Sequence, residues 1–163
     1  MTNQPSFTVR SHQPGDMGWV TYRHGFRYAQ EYGFDGSFEV LVARICANFS
    51  EGYKPAKEHC WIAELNGEKV GSVFCVEEAP RVAKLRLLLI EPQARGLGLG
   101  RSLVQECVAF ARDAGYEKIV LWTNSILYAA RSLYEREGFI LVKSEAHYSF
   151  GQQLTGEIWE LLL

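Results

Sequence analysis

The sequence predicts an α/β fold: a mixed β-sheet flanked by helices. Three observations predict it. Apolar residues switch between strand and helix periodicity in the order β-α-α-β-β-β-α-β-α-β-β. Asn66-Gly67 separates two apolar runs and reads as a tight hairpin turn. A glycine-rich stretch, Arg95-Gly96-Leu97-Gly98-Leu99-Gly100-Arg101-Ser102-Leu103, lies between an apolar strand and an amphipathic helix. A chain of 163 residues, 47% hydrophobic and 22% charged, fits a single domain over 1–163 with one core.

Each element has its own signal. Phe7-Thr8-Val9-Arg10 reads as a short strand. A helix follows to about Tyr32, with Asp16 as its N-cap, Trp19, Tyr22, Phe26 and Ala29 at helical spacing, and Gly33 as its stop. Phe38, Leu41, Val42, Ile45 and Phe49 mark a second helix closed near Gly52. Strands 60–65 and 70–76 flank the Asn-Gly turn. Strand 83–90 alternates and then becomes continuously apolar, which predicts a far end buried on both faces. Leu99, Leu103, Val104, Cys107, Val108 and Ala111 line one side of the helix after the glycine loop, which Gly115 stops. Strand 118–122, a helix from about Ile126 to Glu137 capped by Gly138, and strands 139–142 and 157–161 complete the order.

Composition excludes several function classes. A net charge of −2, a pI near 6.1 and no basic run argue against a nucleic-acid surface. No stretch of about 18 apolar residues is present to span a membrane. The polar start, Met1 to Pro5, lacks the apolar core of a signal peptide. Cys46, Cys60, Cys75 and Cys107 are widely spaced in apolar segments, as expected of buried reduced thiols in a cytoplasmic protein. No metal-ligand spacing is present.

The glycine loop carries the chemistry. Glycine permits close backbone approach to a ligand, and a helix start offers unpartnered amides and a dipole that favours anions. Gly96, Gly98 and Gly100 miss the G-x-G-x-x-G dinucleotide spacing. They also miss Walker A, where Lys would stand in place of Arg101. What remains is Arg95-x-x-Gly98-x-Gly100, the pattern that binds the coenzyme A pyrophosphate. A glycine-rich turn without a ligand is the bland alternative.

With Lys84-Leu85-Arg86-Leu87-Leu88-Leu89-Ile90 before this loop and Ala130-Arg131-Ser132-Leu133-Tyr134-Glu135-Arg136-Glu137-Gly138-Phe139 after it, the chain resembles the GCN5-related N-acetyltransferase (GNAT) family. The second stretch matches the pattern A-x-x-L-Y-x-x-x-G-F. Pro14-Gly15-Asp16-Met17-Gly18-Trp19, Leu121-Trp122-Thr123-Asn124-Ser125 and Tyr148-Ser149-Phe150-Gly151 bring it nearest to the acetyltransferase domain fused behind MarR-type repressors in bacteria.

The resemblance implies acetyl transfer from acetyl-CoA to an amine, without a metal. It places the backbone of Leu88, Leu89 and Ile90 beside the acetyl and pantetheine groups, where an amide stabilises the oxyanion. Gly96, Leu97, Gly98, Leu99 and Gly100 join Arg95 around the pyrophosphate. Arg101 and Ser102 reinforce them from the first helical turn, although Arg101 reads equally as a solvated charge. Arg131, in the second signature, joins the coenzyme-binding set. Tyr134 is the expected general acid for the departing thiolate; a satisfied core tyrosine is the alternative.

Two departures from the family pattern stand out. Leu127 occupies a position where many members carry Asn, so Asn124 reads either as its substitute toward pantetheine or as a helix cap. Lys84 and Arg86 stand where many members place a Glu base. Water, Glu77, Glu78, His24 or His147 remain as proton acceptors, each reading by default as structural or exposed. Tyr22, His24, Arg27, Tyr28, Glu31 and Tyr32, with residues 77–82, are expected to face the acceptor; Lys84 and Arg86 suit one bearing a carboxylate or phosphate. The acceptor is a small-molecule or peptide amine, and homodimerisation is open. The alternative functions are a non-catalytic acyl-CoA sensor and a plain nucleotide-binding domain; the glycine spacing disfavours the latter.

Overall fold

In the computed structural model, which describes residues 6–163, the predicted order of elements is present. The polar start Met1 to Pro5 lies outside the described residues. The elements are β1 (Phe7–Ser11), α1 (Asp16–Tyr32), α2 (Gly36–Glu51), β2 (His59–Leu65), β3 (Glu68–Ala79) and β4 (Val82–Ile90). A 3₁₀ turn at Pro92–Ala94 leads to α3 (Leu99–Asp113), β5 (Lys118–Asn124), α4 (Tyr128–Arg136), β6 (Ile140–Ser149) and β7 (Gln152–Leu162). The strands form a seven-stranded mixed sheet in the order β1-β2-β3-β4-β5-β7-β6, with β4 and β5 parallel.

Two apolar layers hold the sheet. On one side α3 buries the whole predicted stripe, Leu99, Leu103, Val104, Cys107, Val108 and Ala111, together with Tyr134 and Phe139. On the other, Val20, Val42, Cys46 and Phe49 of α1 and α2 pack on Cys60, Ile62 and Phe74. All four cysteines are buried and free. Asn66 and Gly67 both have positive φ (53° and 81°), the geometry a two-residue hairpin demands. No helix among the described residues is long and apolar enough to cross a membrane.

The structure corrects several expectations. Gly15 caps α1, while Asp16 is its first residue, fully buried between Arg10 (2.7 Å) and Lys69 (2.9 Å). Nor is the aromatic stripe of α1 its inner face: Tyr22 and Phe26 are exposed, and Asp16, Val20 and His24 are buried instead. Helix α4 begins at Tyr128, and Gly138, with φ 94°, sits one residue beyond the capping Glu137. Strands β6 and β7 are twice the expected length and form a long hairpin turning at Phe150-Gly151.

The far end of β4 is the most informative correction. Leu87, Leu88 and Ile90 are only half-buried. Parallel pairing between β4 and β5 ends at Lys84↔Val120, while β4 continues against β3 and β5 continues against β7. The strands therefore splay. Leu87 marks the break: its φ of 52° is left-handed, and the β3–β4 register shifts between Ser72 and Phe74, with Ser72 Oγ donating to the Leu87 carbonyl at 2.9 Å. A left-handed leucine costs about 1–2 kcal/mol, so surrounding contacts must hold it.

Candidate active site

The splay opens a cleft with two connected parts. The outer part has a volume of about 760 Å³ and is walled by Arg27, Tyr28 and Glu31 of α1, Leu88–Ile90, the glycine loop and α4. The inner part, about 170 Å³, lies among His24 and Tyr28, the apolar inner face of α2, Lys84–Leu88, Trp122–Asn124 and Tyr134. Tyr28, Leu88, Leu127 and Ala130 line both, so the two are continuous. The β6–β7 turn closes the α2 side: Asp35 donates its amide to the Phe150 carbonyl at 3.1 Å, and Phe34 stacks on Phe150 at 5.0 Å.

The glycine loop presents an unbroken row of donors. Gly96 and Gly98 have φ of 81° and 80°. The amides of Gly96, Leu97, Gly98, Leu99, Gly100 and Arg101 donate to no backbone carbonyl among the described residues. The row ends at Ser102, whose amide is already used by the Gly98 carbonyl at 3.1 Å. Such a row, with the α3 dipole behind it, is an anion cradle. Leu97 is exposed and does not line the cleft, and the Leu99 side chain is buried in the core, so what these two residues offer an anion is their free backbone amides.

Arginines surround this cradle. Arg27, Arg95, Arg101 and Arg136 line the outer part. Arg95 is held by Glu31 at 2.7 Å and Arg101 by Glu137 at 3.3 Å. Arg27 is oriented by the buried Glu91 at 2.8 Å, which also binds Arg23. Burial acts to raise the Glu91 carboxyl, but hydrogen bonds from Arg23 and Arg27 outweigh it and hold it below its ordinary value. Arg136 was not anticipated; its spacing from Ala129 and Leu133 puts the three on one helical face, and that periodicity was the available signal.

Three expected site residues lie elsewhere. Arg131 turns to the buried Glu157 at 2.7 Å and does not line the cleft. Ser102 is half-buried behind the cradle with its amide engaged. Tyr22 sits over a separate groove between α1 and α2, its ring under Arg23 at 5.0 Å. Residues 77–82 do not line the cleft either; Glu77 pairs with Lys54 at 3.1 Å and its amide donates to Glu58.

The inner part gathers the remaining candidates. Tyr134 lies there on the same face as Leu127 and Ala130, and burial pushes its hydroxyl well above the ordinary tyrosine value. Asn124 caps no helix: Leu127 holds that position, and Asn124 Oδ1 meets His147 Nε2 at 2.9 Å. His147 is also engaged through Nδ1 with Ser149 Oγ at 2.9 Å. Lys84 and Arg86 both face the inner part and both are lowered by burial. Lys84 has Glu78 only at 3.8 Å, and Arg86 has no ion pair among the described residues.

His24 is buried at 1% exposure. Its Nδ1 lies 2.8 Å from the Val20 carbonyl, so Nδ1 carries the proton. Nε2 is left with no hydrogen-bond partner. Burial lowers its pKa to about 4.

Known proteins align with this architecture. The model of the acetyltransferase (GNAT) family matches residues 21–139. N-acetyltransferase family 8 member 2 of Rattus norvegicus is 37% identical over 117 residues, covering 68% of this chain and 50% of that protein. N-acetylaspartate synthetase of Danio rerio is 32% identical over 145 residues, covering 88% and 50%. The chain thus spans about half the length of these curated relatives, which are vertebrate proteins rather than repressor-fused bacterial domains. Among solved structures, a Salmonella typhimurium protein with its cofactor acetyl-CoA superposes with a TM-score of 0.79 at 20% identity, over 96% of this chain and 94% of that one. An acetyltransferase from Streptococcus agalactiae gives 0.76 at 22%, over 96% and 98%. At these identities the likeness shows the fold, and the family model shows the rest: the chain belongs to the GNAT family of acetyltransferases.

Proposed function

We propose that this protein is an acetyl-CoA-dependent N-acetyltransferase that passes the acetyl group to a primary amine by direct attack in a ternary complex. The row of free amides from Gly96 to Arg101 at the mouth of a cleft between splayed parallel strands carries this reading. Those amides take the diphosphate, and Arg27 and Arg136 add charge beside it. The pantetheine arm runs along the unpaired edge of β4 past Leu88, Leu89 and Ile90, where a backbone amide faces the developing oxyanion. Asn124, with Oδ1 engaged by His147, offers its amide N–H₂ to the arm or the acceptor. Tyr134 protonates the departing thiolate.

The acceptor amine enters the inner part. Lys84 and Arg86 there favour an amine that also carries a carboxylate, and the product in the Danio rerio relative's name, N-acetylaspartate, is the acetyl derivative of such an amine. The cytoplasmic setting, a bacterial origin near the repressor-fused domains, and one domain over 1–163 remain part of the same proposal. It includes no nucleic-acid or membrane partner. Exposed Ile140, Leu141 and Val142 on the edge strand β6 favour a homodimer.

Release of coenzyme A thiol from acetyl-CoA tests the reading, with L-aspartate, L-phenylalanine, phenethylamine and a peptide N-terminus as acceptors. Turnover with the carboxylate-bearing amines, abolished by Gly98→Val, is expected. Binding of acetyl-CoA without acetylation of any of them favours the sensing alternative, for which the observation is that no carboxylate among the described residues lines the inner part.

A further inference from the structure

Attack by an amine on a thioester needs a group to receive a proton from nitrogen, and the carboxylates nearest the cleft are committed. Glu91 is bound by Arg23 and Arg27, Glu31 by Arg95, Glu137 by Arg101 and Glu157 by Arg131. Both ring nitrogens of His147 are engaged. Among the described residues only two buried side-chain polar atoms lack a partner, His12 Nδ1 and His24 Nε2. His12 is packed away among Phe49, Tyr53 and His59. His24 lines the inner part of the cleft.

We propose that His24 Nε2 is the proton acceptor for the attacking amine. The proposal rests on the acetyl-transfer reading and names a residue for a step that reading leaves open. The neutral amine nitrogen attacks the thioester carbon and a C–N bond forms. The nitrogen gives its proton to the Nε2 lone pair. The C–S bond then breaks, and the thiolate leaves with the Tyr134 hydroxyl proton. The proton on His24 returns to the Tyr134 phenolate through solvent, so the net products are the amide and coenzyme A thiol.

The surroundings suit this role. The Val20 carbonyl fixes the tautomer, so the lone pair always stands on Nε2. Tyr28 stacks on the ring at 5.8 Å and fixes its plane. Tyr28 from α1, Lys84 and Arg86 from β4, Glu91 beyond β4 and Tyr134 from α4 are the titratable or charged groups around it; α2 contributes apolar side chains only. The two cations disfavour an ammonium in the same cavity and so favour the nucleophilic neutral amine. Burial keeps His24 unprotonated down to about pH 4. A base this weak holds the proton only transiently, which suits the acidic nitrogen of a tetrahedral adduct.

Thiol release with acetyl-CoA and L-aspartate or L-phenylalanine tests this, comparing the parent with His24→Gln and His24→Ala. A fall of about 100-fold in kcat is expected for both, with acetyl-CoA affinity by calorimetry unchanged. Imidazole should restore His24→Ala at least tenfold. Parent-like kcat in His24→Gln overturns the inference and leaves acetyl transfer standing, whereas a parent inactive on every amine overturns acetyl transfer itself and this inference with it. Should both variants fail to fold, long-range ¹⁵N spectra of the parent decide. A lone-pair signal at Nε2 that shifts on adding L-aspartate with coenzyme A supports the role, and an unmoved signal contradicts it.

Discussion

Glu91 Oε2 lies 2.8 Å from Arg27 Nε, and this contact ties the end of β4 to the helix that forms the opposite wall of the cleft. Glu91 is 2% exposed and also binds Arg23. Replacing it leaves two arginines without their partner in a part-buried setting. Glu91→Gln is expected to cost about 3 kcal/mol, read by urea unfolding. Arg27 also loses its orientation toward the outer cleft, so weaker acetyl-CoA binding should accompany the loss.

Acid should unfold the protein through a small set of carboxylates. Burial acts to raise Asp16, but hydrogen bonds from Arg10, Lys69 and the Gln13 amide outweigh it and hold its pKa at about 2, against an ordinary 3.8. Glu91 is lowered in the same manner. Groups lowered on folding stabilise the native state above the unfolded pKa and lose that contribution as pH falls through the folded one. Thermal melts are therefore expected to be flat with respect to these groups down to about pH 5 and to fall toward pH 2. Asp16→Asn should flatten that fall.

Arg131 and Arg136, one helical turn and a residue apart, should separate stability from binding. Arg131 satisfies the buried Glu157, which also accepts from Trp159 Nε1 at 3.1 Å. Arg131→Ala is expected to destabilise by about 2 kcal/mol while leaving acetyl-CoA affinity unchanged. Arg136→Ala, on the cleft face, should weaken acetyl-CoA binding severalfold and leave the melting temperature unmoved.

Tyr134→Phe should lower kcat by about 100-fold without altering acetyl-CoA affinity. Burial raises the Tyr134 hydroxyl well above 10, so it stays protonated throughout the working range. No alkaline loss of activity below pH 10 should be traceable to it, and parent-like kcat in Tyr134→Phe contradicts the assignment.

The elements legible in the sequence are those whose environment is one-sided. The α3 stripe reads correctly because one face meets the sheet and the other meets water. The Asn66-Gly67 turn reads correctly because its chemistry is local. Strand β6 does not: an edge strand exposed on most of its length needs no alternation, and residues 143–149 show none. In α1 the aromatic stripe misleads because its buried face carries Asp16 and His24, polar residues that apolar periodicity does not register, and one partner of Asp16, Lys69, is remote in sequence. The half-buried leucines of β4 mislead because an apolar run that lines an open cleft looks like core.

Within the candidate site, the position of the glycine loop at the cleft was legible in the sequence and the pairing of its side chains largely was not. In the proposed function the glycine loop acts through its amides, and motif spacing reports directly where such a row of amides lies. The partners Glu91–Arg27 and Arg131–Glu157 are 64 and 26 residues apart, and only the folded chain joins them.

Amide ¹H–¹⁵N spectra recorded during titration with coenzyme A test the central claim most directly. The six amides from Gly96 to Arg101 should shift most, and downfield, as they acquire an acceptor, while the Ser102 amide, already bonded to Gly98, moves little. Saturating coenzyme A that leaves those six resonances in place would contradict the account.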